Sequence, residues 1–170
     1  MYRTQTPVLI AIGANLPGPR GEPPYAMCCA AAEALRGAPG LRWSGQSPWY
    51  STVPVPASDQ PHYINGVVRL EGEIDPARLL DWLQQLEAAG GRTRSVANAP
   101  RSLDLDIIAM GGLVRDTPDP VLPHPRAHLR RFVLAPLYDV APDWLHPRLK
   151  MCVRALLDQL ADDGGCRILS

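Results

Sequence analysis

Lysine is almost absent from this chain. Of 17 basic side chains, only Lys150 is a lysine, and it sits in HPRLKMC with no glycine-rich stretch before it, which excludes a P-loop. A Schiff-base mechanism would rest on that one residue. An excess of charge is also missing, since 17 acidic residues balance the basic ones and the isoelectric point is about 6.9. That balance argues against a general binder of nucleic acid or of anionic membranes. Cysteines stand at 28, 29, 152 and 166, a spacing that fits neither a zinc knuckle nor a CxxC redox pair. They read as small apolar residues in a reducing compartment. No apolar run approaches the length of a membrane span, and the apolar part of MYRTQTPVLIAIG is too short for a secretory signal. These absences lead to the expectation of a cytoplasmic protein with no nucleic-acid or membrane partner.

What is present is a globular chain rich in arginine and proline. Its 170 residues, 46% of them hydrophobic, suit one domain over 1–170 that can bury a core without a disulfide or metal staple. The chain has nineteen prolines, which concentrate at 17–24, 54–61 and 118–125 and mark loops there. Val8 to Ile12 is a short run ended by Gly13 and reads as a buried strand, and Ala-rich Ala26 to Leu35 favours helix. Arg42 to Thr52 and Tyr63 to Leu70 read as strands. Asp75 is an N-cap candidate, Pro76 suits a first turn and Gly90-Gly91 ends the helix, whose Leu79, Leu83 and Leu86 share a face. Ser102 to Met110 reads as a strand, Arg126 to Tyr138 as a mixed segment and Val153 to Leu160 as a last helix. The order matches βαββαβ, an α+β ferredoxin-like sandwich with a mostly antiparallel sheet and helices packed on it. Many unrelated functions use that fold.

The chemistry concentrates in PRSLDLDII at 100–108. Strand alternation turns Leu103, Leu105 and Ile107 one way and Asp104 and Asp106 the other, the two carboxylates roughly 6–7 Å apart. Like charges on one face repel and Asp is disfavoured in strands, so a compensating partner is expected, the plain alternative being a solvated strand face. Mg²⁺ takes one or two carboxylates plus phosphate oxygens, and two such ions sit about 3.5–4 Å apart in phosphoryl chemistry. Gly90-Gly91-Arg92-Thr93-Arg94, followed by Arg101, makes a cationic loop leading into that strand, which suits a polyphosphate. Glu87 lies at the edge of the buried helix stripe with Gln84 one turn before it, able to face a ligand or to serve structure. His124, between Pro123 and Pro125 and followed by Arg126, Arg130 and Arg131, suits a phosphate donor better than half of a zinc pair with His128. Asn65 interrupts an apolar strand with an amide able to read a heterocycle or to satisfy local backbone.

Together, IAIGANL at 10–16, WYSTVPV at 49–55, DQPHYINGVV at 59–68, LLDWLQQLE at 79–87, GRTRSVANAPRSLDLDII at 91–108 and LPHPRAHLRRFVLAPL at 122–137 resemble the 6-hydroxymethyl-7,8-dihydropterin pyrophosphokinase family of folate biosynthesis. The resemblance follows the family's order over most of the chain. It implies transfer of a diphosphoryl group from ATP to the hydroxymethyl of the pterin, releasing AMP. It implies two Mg²⁺ ions on Asp104 and Asp106, with Arg92 and Arg101 joining that pair as catalytic residues. The ATP site would comprise Gln84, Glu87, Arg92, Arg101, Ile107, His124 and Arg130. Thr52, Val55, Tyr63, Asn65 and Phe132, the single phenylalanine of the chain, would build the pterin pocket. The implied partners are these two small molecules, and the implied state a monomer or weak homodimer. The chain departs from the family pattern in three places. Asn98-Ala99 stands where some members carry a Trp lid, the segment after Leu16 is longer and richer in proline, and Val53 and Pro125 replace a frequent Pro and an occasional Tyr. Two other readings use the same residues: a metal-dependent phosphohydrolase on the Asp pair, and an RNA-binding sheet, which the missing aromatic pattern and zero net charge disfavour.

Overall fold

The computed structural model describes residues 5–91 and 100–170. Among them, six strands form one sheet in which every pairing is antiparallel. In chain order the elements are β1 (Pro7–Ala14), α1 (Pro24–Ala34), β2 (Leu41–Gln46), β3 (Tyr50–Thr52), β4 (Tyr63–Gly72), α2 (Pro76–Ala89), β5 (Asp104–Met110), α3 (Arg131–Val140), α4 (Val153–Asp158) and β6 (Cys166–Ile168). The strands lie in the order β5-β1-β4-β3-β6, with β2 also paired to β4. The expected α+β class and antiparallel sheet are therefore present. The first helix begins at Pro24 rather than Ala26, and the side chain of Asp75 accepts the Arg78 N–H at 3.1 Å, capping α2.

The sheet is covered on both faces. Ile10, Ile12, Val68, Leu105 and Ile107 pack with Leu79 and Leu83 of α2 and with Met27 and Cys28 of α1. On the other face Leu9, Val67 and Ile108 pack under Val133, Leu134 and Leu137 of α3 and Val153 and Leu156 of α4. This explains why Val8 to Ile12 reads as a near-continuous apolar run: a strand buried on both faces has no polar side. The mixed segment resolves into a 3₁₀ turn, Ala127–Leu129, followed by α3. The last helix stops at Asp158, two residues before the expected end, and β6, only three residues long, carries too little pattern to be read from sequence.

The expected single strand over 42–52 is split. Ser47 donates its N–H to the Val67 carbonyl at 2.9 Å, and its hydroxyl accepts the Val67 N–H at 3.0 Å. The chain thereby leaves the ladder and returns as β3 on the same partner strand. The ring of Trp49 lies against Gly66, where a Cβ would sit 2.7 Å from it. Gly66→Ala should therefore destabilise the protein by about 1–3 kcal/mol through overpacking. Gly45→Ala, which faces open space, should be neutral or stabilising by about 0.4–1 kcal/mol. Urea unfolding midpoints check the pair; equal shifts would refute the packing account.

Candidate active site

Strand alternation places the carboxylates as expected. Leu103, Leu105 and Ile107 enter the core against α2, while Asp104 and Asp106 turn to the α3 face and line a cleft of about 230 Å³. Across the sheet, Asp104 pairs with Gly13 and Gly13 with Asn65; Asp106 pairs with Ala11 and Ala11 with Val67. On this face β1 runs Leu9, Ala11, Gly13, and the shrinking side chains open the floor between β5 and β4. Gly13 has a steric reason to be glycine, because a Cβ there would lie 2.7 Å from Asn65 Oδ1.

The cleft brings together Thr52, Val55, Tyr63, Asn65, Arg101, Asp104, Asp106, His124, Arg130 and Phe132. At one end Asn65 is 8% exposed and donates from Nδ2 to Thr52 Oγ1 at 2.6 Å, so its amide is held in one orientation. Phe132, in the first turn of α3, has the Arg130 guanidinium 5.6 Å from its ring centroid. Behind them the Tyr50 hydroxyl donates to Asp139 Oδ2 at 2.6 Å and ties β3 to α3. Val55 is at the rim, 69% exposed.

At the other end Arg101 Nη1 contacts Asp104 Oδ1 at 2.7 Å, and the Arg101 N–H donates to Asn15 Oδ1 at 2.9 Å. His124 donates its N–H to the Ile108 carbonyl at 2.8 Å, and its Nδ1 accepts the Arg126 N–H at 3.2 Å. In the neutral ring that leaves the proton on Nε2, 3.9 Å from Asp106 Oδ2. Burial, then the Arg130 and Arg126 charges, pull His124 down to about 4. Asp106 keeps part of its side-chain surface open where it lines the cleft, yet the walls desolvate it. Burial first, then Asp104 and Glu87, push its carboxyl up to about 7. Burial and Arg126 lower Arg130, and burial raises Tyr63. Two hard oxygen donors on one face, one of them pushed toward its protonated form by burial and then by the neighbouring carboxylates, form a set that a divalent cation fits.

Three expected nucleotide residues do not line this cleft. Ile107 is 5% exposed and points into the core on the opposite face, so any contact with a nucleotide falls to its main chain. Gln84 is exposed on α2. Glu87 is 5% exposed, and its Oε1 accepts the Leu105 N–H at 2.7 Å. The reason is that β5 is an edge strand with β1 as its neighbour, and its outward amide needs an acceptor. Arg92 and Asn98-Ala99 lie outside the described residues. Sequence reading overlooked Gly13, Asn15 and Gln60 at this site. Of these only Gly13, ending a strand run, carried a local signal, and that signal read as a terminator.

The sequence model of the 7,8-dihydro-6-hydroxymethylpterin-pyrophosphokinase family matches residues 9–142. A 2-amino-4-hydroxy-6-hydroxymethyldihydropteridine pyrophosphokinase of Pseudomonas aeruginosa is 40% identical over 136 residues, covering 80% of this chain and 81% of that one. The protein of the same name from Haemophilus influenzae is 34% identical over 153 residues, covering 90% and 92%. Among solved structures, wild-type HPPK-DHPS of Plasmodium falciparum with SDX-DHP superposes with a TM-score of 0.66 at 13% identity. The match covers 91% of this chain and 43% of that chain, and it shows the shared fold.

The raised Asp106 carboxyl makes stability depend on pH. With its folded value near 7, the folded state keeps a proton that the unfolded chain releases from about pH 4 upward. This contribution is present at low pH and is lost as pH rises through 7. The lowered His124 acts in the opposite sense over about pH 4 to 6.5 and is common to wild type and variant. In the presence of a chelator, Asp106→Asn should therefore gain stability relative to wild type as pH rises from about 4 to 7. Urea unfolding at several pH values measures the difference, and a flat or falling difference would refute the assignment.

Proposed function

The chain belongs to the 7,8-dihydro-6-hydroxymethylpterin-pyrophosphokinase family, and we propose that the Asp104–Asp106 cleft is where it performs that reaction. It is a pyrophosphokinase of folate biosynthesis, moving a diphosphoryl group from ATP to the hydroxymethyl of 6-hydroxymethyl-7,8-dihydropterin with release of AMP. One observation carries the placement: a single cleft holds a buried amide fixed by a hydroxyl at one end and a carboxylate pair flanked by Arg101, His124 and Arg130 at the other. The first end suits a flat heterocycle and the second a metal-bound polyphosphate. The relatives carry pyrophosphokinase names, and the phosphohydrolase reading finds no support.

In this reading the Asn65 amide, oriented by Thr52, reads the donor–acceptor edge of the pterin. Phe132 and Tyr63 offer it aromatic surface, with Val55 at the rim. Arg101 and Arg130 grip phosphate oxygens, as does Arg92 from the preceding loop. His124, neutral with its proton on Nε2, donates to the phosphates without adding charge. Asp104 and Asp106 would hold two Mg²⁺ ions, which supply charge neutralisation and polarisation of the phosphorus. Gln84 and the main chain at Ile107 would meet the nucleotide, and Glu87 holds the strand beneath the metal pair. The attacking hydroxyl and the leaving AMP must lie in line, so the protein's task is positioning and charge compensation more than covalent chemistry. We place the enzyme in the cytoplasm, acting on small molecules as a monomer or weak homodimer. No helix among the described residues is long and apolar enough to cross a membrane.

AMP formation from Mg-ATP, with and without 6-hydroxymethyl-7,8-dihydropterin, tests this reading directly. AMP should appear only with the pterin, alongside the diphosphorylated product. Asp104→Asn and Asp106→Asn should each abolish turnover while thermal unfolding shows a folded protein; near-wild-type activity in either would remove the metal assignment. Arg101→Ala should lower kcat about 10²–10³-fold, the loss typical of a transition-state donor. An effect confined to the KM for pterin would contradict that role.

A further inference from the structure

Asn15 stands one residue past the end of β1 and is 1% exposed, yet it takes no direct place in the cleft. Its N–H donates to the Arg101 carbonyl at 2.9 Å, and the Leu16 N–H reaches the same oxygen at 3.1 Å. Its side-chain Oδ1 accepts the Arg101 N–H at 2.9 Å. Its Nδ2 donates in the other direction, to the Pro61 carbonyl and to Gln60 Oε1, both at 3.2 Å. One buried carboxamide thus joins two segments that share no strand pairing, because β1 separates β4 from β5. Pro61 leads within four residues to Tyr63 and Asn65, and Arg101 within three to Asp104, which it also grips by its side chain.

Resting on the function proposed above, we propose that Asn15 is a positioning residue that holds the heterocycle-side segment 60–65 and the phosphate-side segment 101–106 at a fixed separation. In-line transfer between two bound substrates needs the attacking oxygen and the phosphorus aligned, and a misplacement of about 1 Å costs on the order of 10²-fold. The sheet sets the spacing of the floor, but Gln60, Pro61 and Arg101 lie beyond the ends of their strands, where no ladder reaches. The amide chemistry suits the task. Asparagine accepts on one side and donates twice on the other, and aspartate keeps the first function but loses the second. Leucine of similar size loses both.

Asn15→Asp keeps an acceptor for the Arg101 N–H and turns a carboxylate toward the Pro61 carbonyl. It should raise the KM for the pterin tenfold or more with the KM for ATP changed less than threefold, and should speed amide exchange in peptides spanning 57–63 but not 100–106. Asn15→Leu should speed exchange in both segments and lower kcat tenfold or more as well. A merely structural residue would lower the thermal midpoint and the active fraction and leave both KM values where they are. A pterin KM within twofold of wild type in Asn15→Asp, or an equal rise in both KM values, would overturn the proposal, as would unchanged exchange over 57–63. If an Asn15 variant loses its thermal transition, Gln60→Leu replaces it in the exchange measurement, with faster exchange over 57–63 expected and unchanged exchange overturning. Wild-type protein that forms no pterin-dependent AMP would refute the functional reading instead, while the exchange data still decide whether Asn15 holds the two segments.

Discussion

Two carboxylates on one face of an edge strand are the constraint around which this site is arranged. Asp104 and Asp106 repel each other, and Glu87, held beneath them by its bond to the Leu105 N–H, adds negative charge from the other side of the strand. The surroundings offset this unevenly. Arg101 sits on Asp104 at 2.7 Å, whereas Asp106 faces a neutral His124 at 3.9 Å. Burial first, then the charges of Asp104 and Glu87, push the Asp106 carboxyl up to about 7. Carboxylates desolvated side by side gain from a ligand that brings positive charge, which is the electrostatic basis of the metal role proposed for this pair.

The sheet converts that constraint into geometry. β1 lies between the strand that carries the carboxylates and the strand that carries Asn65, so one strand's width separates the Asp104–Asp106 end of the cleft from the Asn65 end. The taper from Leu9 through Ala11 to Gly13 leaves that width open as floor, and Leu9 at the closed end packs under α3 and α4. Helix α3 serves twice: its apolar face seals the core, and its first turn carries Phe132 beside Arg130. The Tyr50–Asp139 bond couples that helix to β3, which also presents Thr52 to Asn65. A disturbance in either element therefore reaches both walls of the cleft.

Much of this was legible in the sequence wherever the signal is local. Period-two alternation placed Asp104 and Asp106 opposite Leu103, Leu105 and Ile107, and Asp75-Pro76 located the start of α2. The same alternation argues against an Ile107 side chain in the cleft, a consequence outweighed by the family resemblance. Glu87 was less readable, because its burial depends on which strand lies at the sheet edge and which amide points outward. The split of 42–52 required knowing that Trp49 would fold over Gly66. Asn15 was the least legible, since its partners lie 45, 46 and 86 residues away and no periodic pattern announces contacts of that kind.

The near-absence of lysine acquires a physical sense at this site. A lysine beside a carboxylate pair and under partial burial can release its proton, and its charge then depends on pH and on what is bound. Arginine does not. Arg130 is pulled down by burial and by Arg126, yet it starts from a value so high that it stays charged in any physiological medium. Near neutrality the shifted side chains of the cleft include Asp106, raised to about 7, and His124, lowered to about 4 and so neutral. In the proposed reading, the arginine grip on phosphate then does not hang on a titrating lysine. Lys150 is exposed in the loop before α4, outside the lining of the cleft.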